Sequence, residues 1–354
     1  MLLKTIGRVY MQNQRAFYNW VEASLPPHVG PVKSLQLQPL AGDAGFRRYY
    51  RVTSCPSLIA VNSPPSKEKN PEYIKISLFL QSMGVRTPAI YAVNFKQGYM
   101  LLEDFGETLF IDRLNQGSES DLYTMAESTL LQIQQSPVDA ALFPNFDRDK
   151  LSKELALFER WFLSDLLGLD LDKNIKVMLH HLFELLIDNA LQQPQVLVHS
   201  DYHCRNLMLT ESGELGVIDF QDAMKGAITY DLVSLLKDCY VRWPREWIEQ
   251  RALDYKRRLE IEQEYSLGDS KQFLRWFDLM GLQRHIKVLG IFARLALRDK
   301  KTAYLNDIPL VIRYCLEVTD RYQQGAQFSQ WFKEMIVPAL SKQDWYRDHK
   351  DECP

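Results

Sequence analysis

The sequence predicts an α+β protein with two lobes: a small antiparallel sheet carrying one helix, followed by a larger helical lobe. Short strand-like segments separated by glycine and proline fill the first hundred residues. Long segments with apolar residues at helical spacing fill most of the remainder, and one hairpin interrupts them near residue 200. We therefore expect a first lobe over 1–104, a helical lobe carrying the hairpin over 105–340, and a polar tail over 341–354.

The elements of the first lobe follow from periodicity and punctuation. Residues 1–30 have an amphipathic helical pattern that ends at Pro26 and Pro27. A second helix is predicted over 71–84, with proline at its start and Gly84 at its end. The predicted strands are 35–40, 49–53, 58–62, 89–94 and 99–103.

The helical lobe is predicted from longer amphipathic segments. These segments are 107–135, 150–168, 172–192, 229–241, 246–264, 270–298 and 307–322. A strand at 195–199 comes before the hairpin, whose strands are predicted at 206–209 and 215–219 around the turn TESGE.

Composition excludes several classes of function. The 354 residues carry 42 Lys and Arg against 45 Asp and Glu, so the net charge of −3 offers no footprint for nucleic acid or an anionic membrane. Five scattered cysteines without a CxxC pair argue against a disulfide framework or a structural zinc site. The first twenty residues lack a signal-peptide core, and no apolar stretch is long enough to span a membrane. We expect a cytoplasmic protein without an obligate protein partner.

The hairpin carries the most specific signal. His199, Asp201 and Asn206 follow the spacing H-x-D-x-x-x-x-N, and the pair D-F begins at Asp219, thirteen residues further on. This spacing is typical of a kinase catalytic loop and its metal-binding aspartate. Asp201 is suited to orient a hydroxyl nucleophile and take its proton. Asn206 and Asp219 offer the hard oxygen ligands that Mg²⁺ prefers.

A chance match is the alternative, because a single Asp or Asn in a loop usually faces solvent or caps a turn. Four residue types at fixed spacing within a strand–loop–strand context favour catalysis. For His199 we favour packing and hydrogen bonding of the loop over proton transfer. His203 and Arg205 lie inside the loop and are candidates for contact with substrate or phosphate.

These residues resemble the aminoglycoside phosphotransferase and choline kinase group, which shares the protein-kinase fold. Further segments are similar to the bacterial N-acetylmuramate/N-acetylglucosamine kinases. They are GDAGFRRYYRV at 42–52, SLIAVNSPPSKE at 57–68, YMLLEDFG at 99–106, the segment from VLVHSDYHCRNLM through GVIDFQDAMKGAITYDLVSLLKDCYVRWP, and 273–299. The resemblance covers about residues 35–335. It implies ATP and Mg²⁺ as cofactors and phosphorylation of the anomeric hydroxyl of an amino sugar during cell-wall recycling.

The resemblance also implies roles for single residues. Asp201 corresponds to the catalytic base, Asn206 and Asp219 to the metal ligands, and Asp231 to an aspartate that braces the catalytic loop. For Asp231, a carboxylate at a helix N-terminus is an equally compatible interpretation. The stretch Leu101–Asp104 corresponds to the hinge between the lobes and would offer backbone groups to adenine. The backbone N–H groups of the loop GDAGF, residues 42–46, would contact phosphate. The candidate nucleotide-binding residues are Gly42, Asp43, Ala44, Gly45, Leu102, Glu103 and Asp104.

Two absences point to a small-molecule acceptor rather than a protein. Ser200 stands where most protein kinases have the arginine that pairs with a phosphorylated activation loop. Only eleven residues separate Asp219 from Asp231, too few for a long peptide-docking segment.

The phosphate-binding lysine expected on the third strand is missing, because residues 58–62 read LIAVN. Lys67 and Lys69 in the following loop are alternatives, although loop lysines are usually solvated. Arg47 and Arg48 either supply the positive charge or simply lie at a strand end. The choice between ATP and GTP stays open on this basis.

The acceptor site is expected beside Asp201. Aromatic side chains suit sugar rings, so Trp243, Tyr240 and Trp276 are candidates, although Trp276 lies in a stripe more typical of core. The full set of polar candidates is Asp222, His203, Arg205, Arg242, Arg284 and His285, of which Asp222, His203 and Arg205 are preferred together with Trp243. Two other interpretations remain: a kinase for an aminoglycoside or amino alcohol, and an inactive nucleotide-binding protein. The segment AMKGAITY has no carboxylate for a polycationic aminoglycoside, and the intact Asp201, Asn206 and Asp219 set argues against an inactive protein.

Overall fold

The computed structural model describes residues 14–29, 34–40, 45–55, 57–114, 117 and 119–347. The described residues form two compact units. The first runs to Leu109 and includes Leu207–Gln221, and the second comprises Phe110–Asn206 and the chain from Asp222 onward. The hairpin thus groups with the first unit, although the sequence assigns it to the helical lobe. The candidates Gly42, Asp43 and Ala44, and residues 348–354 of the predicted tail, lie outside the described residues.

A five-stranded antiparallel sheet forms the body of the first unit. Its strands are β1 (Leu37–Pro39), β2 (Arg48–Val52), β3 (Leu58–Asn62), β4 (Ile90–Asn94) and β5 (Tyr99–Glu103). They lie in the order β1-β2-β3-β5-β4, so β3 and β5 occupy the interior of the sheet. Both of these strands are buried along nearly their whole length. Their sequences are accordingly continuous apolar runs rather than alternating ones.

Two helices accompany this sheet. The described part of α1 covers 14–23, and its Phe17 and Val21 pack into one cluster with β-sheet residues such as Val52 and Leu101. Helix α2 (Asn70–Ser82) carries a proline in its first turn. The buried side of α2 includes Tyr73, Ile76 and Leu80. Apolar burial of this kind supplies most of the stability of a short helix.

The hairpin consists of two strands, β7 (Leu207–Leu209) and β8 (Leu215–Val217), which pair with each other. It contacts the rest of the first unit at several points. The backbone N–H of Val217 donates to the carbonyl of Arg86 at 2.8 Å. Gly216 lies against the ring of Phe105, and a Cβ built on it would come within 2.4 Å of that ring. Only glycine therefore permits this approach of the hairpin to the stretch that follows β5.

The second unit is helical. Its helices are α3 (Glu119–Gln135), α4 (Arg148–Leu157), α5 (Lys173–Leu191), α6 (Tyr230–Leu236), α7 (Arg245–Glu262), α8 (Ser270–Leu297), α9 (Ile308–Arg321), α10 (Ala326–Trp331) and α11 (Val337–Leu340). The side chains of Asp147, Asp172 and Asp269 accept backbone N–H groups at the starts of α4, α5 and α8. Helix α8 is buried along most of its length and forms the centre of this unit.

The second unit departs from the sequence-based prediction in several places, among them α10 and α11, which lie beyond the last predicted helix. The segment predicted as one helix over 107–135 is divided into a 3₁₀ turn (Phe110–Arg113) and α3. Helix α4 continues as a π-helix (Phe158–Leu166) where α8 approaches it closely, since a Cβ on Gly290 would come within 2.4 Å of the backbone of Leu157. The sequence did not predict strand β9 (Met224–Ala227), which pairs with β6 (Gln195–Val198).

Across the described ranges, no helix combines the length and apolar character needed to cross a membrane.

Candidate active site

The catalytic loop of the second unit follows β6 and spans residues 199–206. Its first turn is held by Asp231, in the first turn of α6, whose carboxylate accepts the backbone N–H groups of His199 at 2.6 Å and Ser200 at 3.1 Å. Asp231 is fully buried, and Ser200 has a φ of +83°, a conformation that a non-glycine residue keeps only when its surroundings hold it there. The bracing role expected for Asp231 is confirmed, and its place in the first turn of α6 also satisfies the helix-dipole interpretation.

A second carboxylate braces the end of the same loop. Asp238 is buried, and it accepts the backbone N–H groups of Cys204 at 2.9 Å and Tyr240 at 3.2 Å. No motif in the sequence predicts this residue. Asp238 lies two residues beyond the end of α6, so helical periodicity does not relate it to Asp231.

His199 has a structural position. Its side chain is almost completely buried and lies edge-on to Tyr202, with ring centroids 5.7 Å apart. Its Nδ1 accepts the backbone N–H of Asp201 at 3.3 Å. The packing role that the sequence favours agrees with this arrangement.

Asp201 lies in a positively charged environment. Burial alone would raise the pKa of its carboxyl group, but the charges of Lys287, His203 and Arg284 outweigh burial and hold the pKa below the usual value of 3.8. The carboxylate is therefore ionised at neutral pH, as a group that orients and deprotonates a hydroxyl must be.

Two cations of α8, Lys287 and Arg284, contribute to the positive charge around Asp201. Lys287 forms an ion pair with Glu154 at 3.1 Å and donates to the hydroxyl of Tyr230 at 3.1 Å. Arg284 is only 4% exposed and donates to Sγ of Cys239 at 3.5 Å. Within the part of the chain that the structure describes, Arg284 forms no ion pair. Burial alone would lower the pKa of its guanidinium, but the carboxylates of Asp201 and Asp238 act on it from beyond ion-pair distance and help to keep the pKa above its usual value.

Asn206 ends the loop. Its amide nitrogen donates to the carbonyl oxygen of Asp201 at 3.0 Å and lies 3.4 Å from Nε2 of His203. The amide nitrogen is thus used within the loop, and the amide oxygen is the atom available to a metal ion. This arrangement fits a magnesium ligand.

Asp219 belongs to the first unit, where it follows β8 with a φ of +64°. One of its carboxylate oxygens accepts a hydrogen bond from the side chain of Gln221 at 2.7 Å. The next residue, Phe220, stacks on Tyr73 of α2 with ring centroids 4.9 Å apart. Among the described residues no cluster of three or more His, Cys, Asp and Glu side chains is placed to hold a metal. The carboxylate of Asp219 is a hard oxygen ligand of the kind that Mg²⁺ prefers.

The hinge residues are engaged within the first unit. The side chain of Glu103 pairs with Arg86, and that of Asp104 pairs with Arg51. Their backbone N–H groups donate to the carbonyls of Ala89 at 2.8 Å and Ser57 at 2.9 Å, while Leu102 is buried in β5. An adenine ring bound here would therefore take other backbone groups of this stretch than these two N–H groups.

Three of the acceptor candidates, His203, Arg205 and Asp222, lie in or contact the loop at 199–206 or its neighbour Tyr240. His203 and Arg205 both contact Tyr240, His203 edge-on at 5.5 Å between centroids and Arg205 with its guanidinium carbon 3.5 Å from the ring centroid. The backbone carbonyl of Asp222 accepts a hydrogen bond from the Ser200 hydroxyl at 2.9 Å, which ties this residue to the catalytic loop.

Trp243 has the environment of a core residue. It is 8% exposed, its indole N–H donates to the hydroxyl of Tyr123 at 2.7 Å, and it packs on Trp247. Its one polar atom is therefore already used, which argues against the acceptor contact expected from the sequence.

Other candidates also have internal partners. Arg242 pairs with Glu317 at 2.6 Å, and the ring of His285 bonds to the carbonyl of Lys237 at 2.9 Å. Trp276 lies on α8, as its aromatic stripe predicts.

The chain is similar to known phosphotransferases. A model of the family described as "Phosphotransferase enzyme family" matches residues 36–266. An N-acetylmuramate/N-acetylglucosamine kinase of Pseudomonas aeruginosa is 36% identical over 317 residues, which is 88% of this chain and 93% of that protein. A protein of the same name from Pseudomonas putida is 38% identical over 311 residues, covering 88% and 91% of the two chains.

Among solved structures, the ethanolamine kinase of Plasmodium vivax superposes with a TM-score of 0.62 over 84% of this chain and 85% of its own. The two share 15% sequence identity, so this likeness concerns the fold. It confirms the protein-kinase-like fold that the motif predicts. The chain belongs to the phosphotransferase enzyme family and is a small-molecule kinase.

Proposed function

We propose that this protein transfers the γ-phosphoryl group of ATP to the anomeric hydroxyl of N-acetylmuramate or N-acetylglucosamine. The observation that carries the proposal is a catalytic loop that two buried carboxylates hold in place around an ionised Asp201. The names of relatives that match this chain over most of its length support the choice of acceptor.

Each site residue has a role in this proposal. Asp201 orients the acceptor hydroxyl and takes its proton. Asn206 and Asp219 hold Mg²⁺, which would offset negative charge on the nucleotide phosphates when bound. Gly45 and the backbone of residues 102–104 face the nucleotide. The glycine-rich loop at 42–44 is assigned to the phosphates from sequence alone.

The charge around Asp201 supports an amino sugar over an aminoglycoside. Arg284 is buried and Lys287 is 13% exposed, and the charges of both act on Asp201. Such a field repels a polycation, whereas it favours a neutral or anionic acceptor. N-Acetylmuramate carries a carboxylate on its lactyl group, and Arg284 lacks an ion pair among the described residues. We assign Asp222, His203 and Arg205 to the remaining polar contacts with the acceptor.

The product would be an amino-sugar 1-phosphate. An enzyme of this activity belongs in the cytoplasm, where ATP and sugars recovered from the cell wall are both present. The reaction needs two small substrates and no protein partner.

The test is incubation of the purified protein with ATP, Mg²⁺ and N-acetylmuramate or N-acetylglucosamine, followed by mass spectrometry of the sugar phosphate. Loss of the signal of the free reducing end would place the phosphate on the anomeric oxygen. Asp201→Asn should lower kcat by about 10²- to 10⁴-fold while ATP still binds, because it removes the proton acceptor. Asp165→Asn, an exposed aspartate elsewhere, is the matched control and should leave kcat unchanged.

The same assay with kanamycin, choline and ethanolamine examines the other acceptors. Turnover of one of these compounds without turnover of either amino sugar would refute the acceptor assignment. ATP binding without turnover of any acceptor would favour an inactive nucleotide-binding protein.

A further inference from the structure

The third strand ends without the cation that a kinase uses to hold nucleotide phosphates. Its last residue, Asn62, pairs with Arg48 of β2. The loop lysines Lys67 and Lys69 are both exposed, and Lys67 lies over the ring of Phe46 with Nζ 5.6 Å from the centroid. Both side chains are therefore solvated to a large extent, whereas a cation that binds phosphate gains from a buried, fixed position.

Arg47 is such a cation. It immediately precedes β2, and its side chain is 7% exposed. Its Nε and Nη2 atoms are buried and have no hydrogen-bond acceptor among the described residues. Its closest counter-charge is Glu68, whose Oε2 lies 3.6 Å from Nη2. Leaving buried guanidinium donors unsatisfied is costly, which indicates that a ligand completes their hydrogen bonding.

Glu68 links this arginine to the glycine-rich loop. Its Oε1 accepts the backbone N–H of Phe46 at 2.8 Å, while its Oε2 faces Arg47. One carboxylate therefore holds both the end of the loop and the guanidinium. This carboxylate fixes the position of the Arg47 side chain relative to the backbone at Phe46.

The aromatic neighbours of Arg47 lead to the metal-binding side of the first unit. The guanidinium carbon lies 5.0 Å from the centroid of Tyr73, and Tyr73 stacks on Phe220, which follows Asp219 in the chain. Burial raises the pKa of Tyr49, while the charge of Arg47 lowers it and that of Asp219 raises it. Tyr49 thus lies within the electrostatic reach of both Arg47 and Asp219, which places these residues in one region of the first unit.

We propose that Arg47, held by Glu68, binds the phosphates of the nucleotide in place of the missing third-strand lysine. This inference rests on the proposed function, since it assumes a nucleotide as substrate. The planar guanidinium offers parallel N–H donors to two phosphate oxygens, a bidentate geometry that the ammonium group of a lysine does not have. Glu68 acts through Arg47 and is a positioning residue.

The test measures nucleotide binding rather than turnover. Dissociation constants of ATP, ADP and adenosine are determined by calorimetry for the wild type and for the variants Arg47→Met, Arg47→Lys and Lys67→Met. We expect Arg47→Met to weaken ATP and ADP by about 10- to 100-fold, the size of a lost charge-assisted contact, and to leave adenosine unchanged. Arg47→Lys should recover part of the loss, and Lys67→Met should bind like the wild type.

Several results would overturn the inference. Unchanged ATP affinity in Arg47→Met, or an equal loss for adenosine, would show that Arg47 is structural. A larger loss in Lys67→Met than in Arg47→Met would assign the role to the loop lysine. Should Arg47→Met fail to fold, Arg47→Lys and Glu68→Gln give the same comparison, and adenosine affinity reduced together with ATP affinity in both refutes the proposal. A protein that binds ATP but phosphorylates no amino sugar loses its acceptor assignment alone, whereas one that binds no nucleotide loses both.

Discussion

The carboxylate of Asp238 accepts the backbone N–H of Cys204 at 2.9 Å, deep inside the second unit. Replacement by alanine would leave this N–H and that of Tyr240 without acceptors. We expect Asp238→Ala to lower the free energy of unfolding by about 1–3 kcal/mol, the cost of an unsatisfied buried donor. It should also lower kcat, because the loop that presents Asp201 loses one of its two braces.

Chemical denaturation and steady-state kinetics of Asp238→Ala and Asp238→Asn would check this expectation. The asparagine variant keeps one acceptor oxygen and should lie between the wild type and the alanine variant. Equal kcat for all three proteins would contradict a role of Asp238 in holding the loop.

Arg284 should discriminate between the two amino sugars. If its guanidinium binds the lactyl carboxylate, Arg284→Met lowers kcat/KM for N-acetylmuramate by about 10- to 100-fold relative to N-acetylglucosamine. The exposed Arg298, at the end of the same helix, provides the control variant Arg298→Met. A parallel loss for both sugars would assign Arg284 to the structure or to the transferred phosphoryl group instead.

His285 should make the protein sensitive to acid. Burial lowers the pKa of this histidine from 6.5 to about 3, helped by the nearby charges of Arg284 and Lys237 and opposed by the hydrogen bond to the Lys237 carbonyl. The unfolded chain therefore binds the proton more readily than the native protein. The stability that neutral His285 contributes is fully present above pH 6.5 and is lost as the pH falls towards 3.

Thermal unfolding between pH 8 and pH 4 would measure this effect, with His285→Gln as the comparison. The decline of Tm with falling pH should be shallower in the variant, whose amide does not titrate. An identical pH dependence of Tm would show that His285 is not buried in its neutral form.

The contact between Gly216 and Phe105 should tolerate no extra methyl group. A Cβ at position 216 would lie 2.4 Å from the ring, well inside van der Waals distance. We expect Gly216→Ala to lower the free energy of unfolding by about 1–3 kcal/mol through overpacking. A second change, Phe105→Leu, should be less destabilising in the Gly216→Ala background than in the wild type, and simple additivity of the two would argue against the contact.

Local sequence was sufficient for the interior of the sheet. The strands predicted over 58–62 and 99–103 correspond to β3 and β5 at both ends, because continuous apolar runs bounded by turns are typical of buried strands. Strand β9 was missed, since Met224–Ala227 contains a lysine and a glycine and pairs with β6, a partner far away in sequence. Its conformation depends on that pairing rather than on its own residues.

Some residues of the site could be predicted from the sequence, and others could not. Spacing alone identified Asp201, Asn206 and Asp219 as candidates, and their roles remain predictions for the kinetic and binding tests. Asp238 and Glu154 carry no motif, because each acts only through a group that folding brings to it. Arg47 was one of several possible cations in the sequence, and its burial singles it out.

The two braces of the catalytic loop also constrain the chain between them. Asp231 lies in α6 and Asp238 lies two residues beyond its end, so deletion of a single intervening residue would draw the second carboxylate away from the backbone N–H of Cys204. Cys204 would then lose its acceptor whatever residues filled the shortened segment. The length of the stretch from Asp231 to Asp238 is therefore fixed by the loop it supports, while its apolar side chains are open to exchange for others of similar volume.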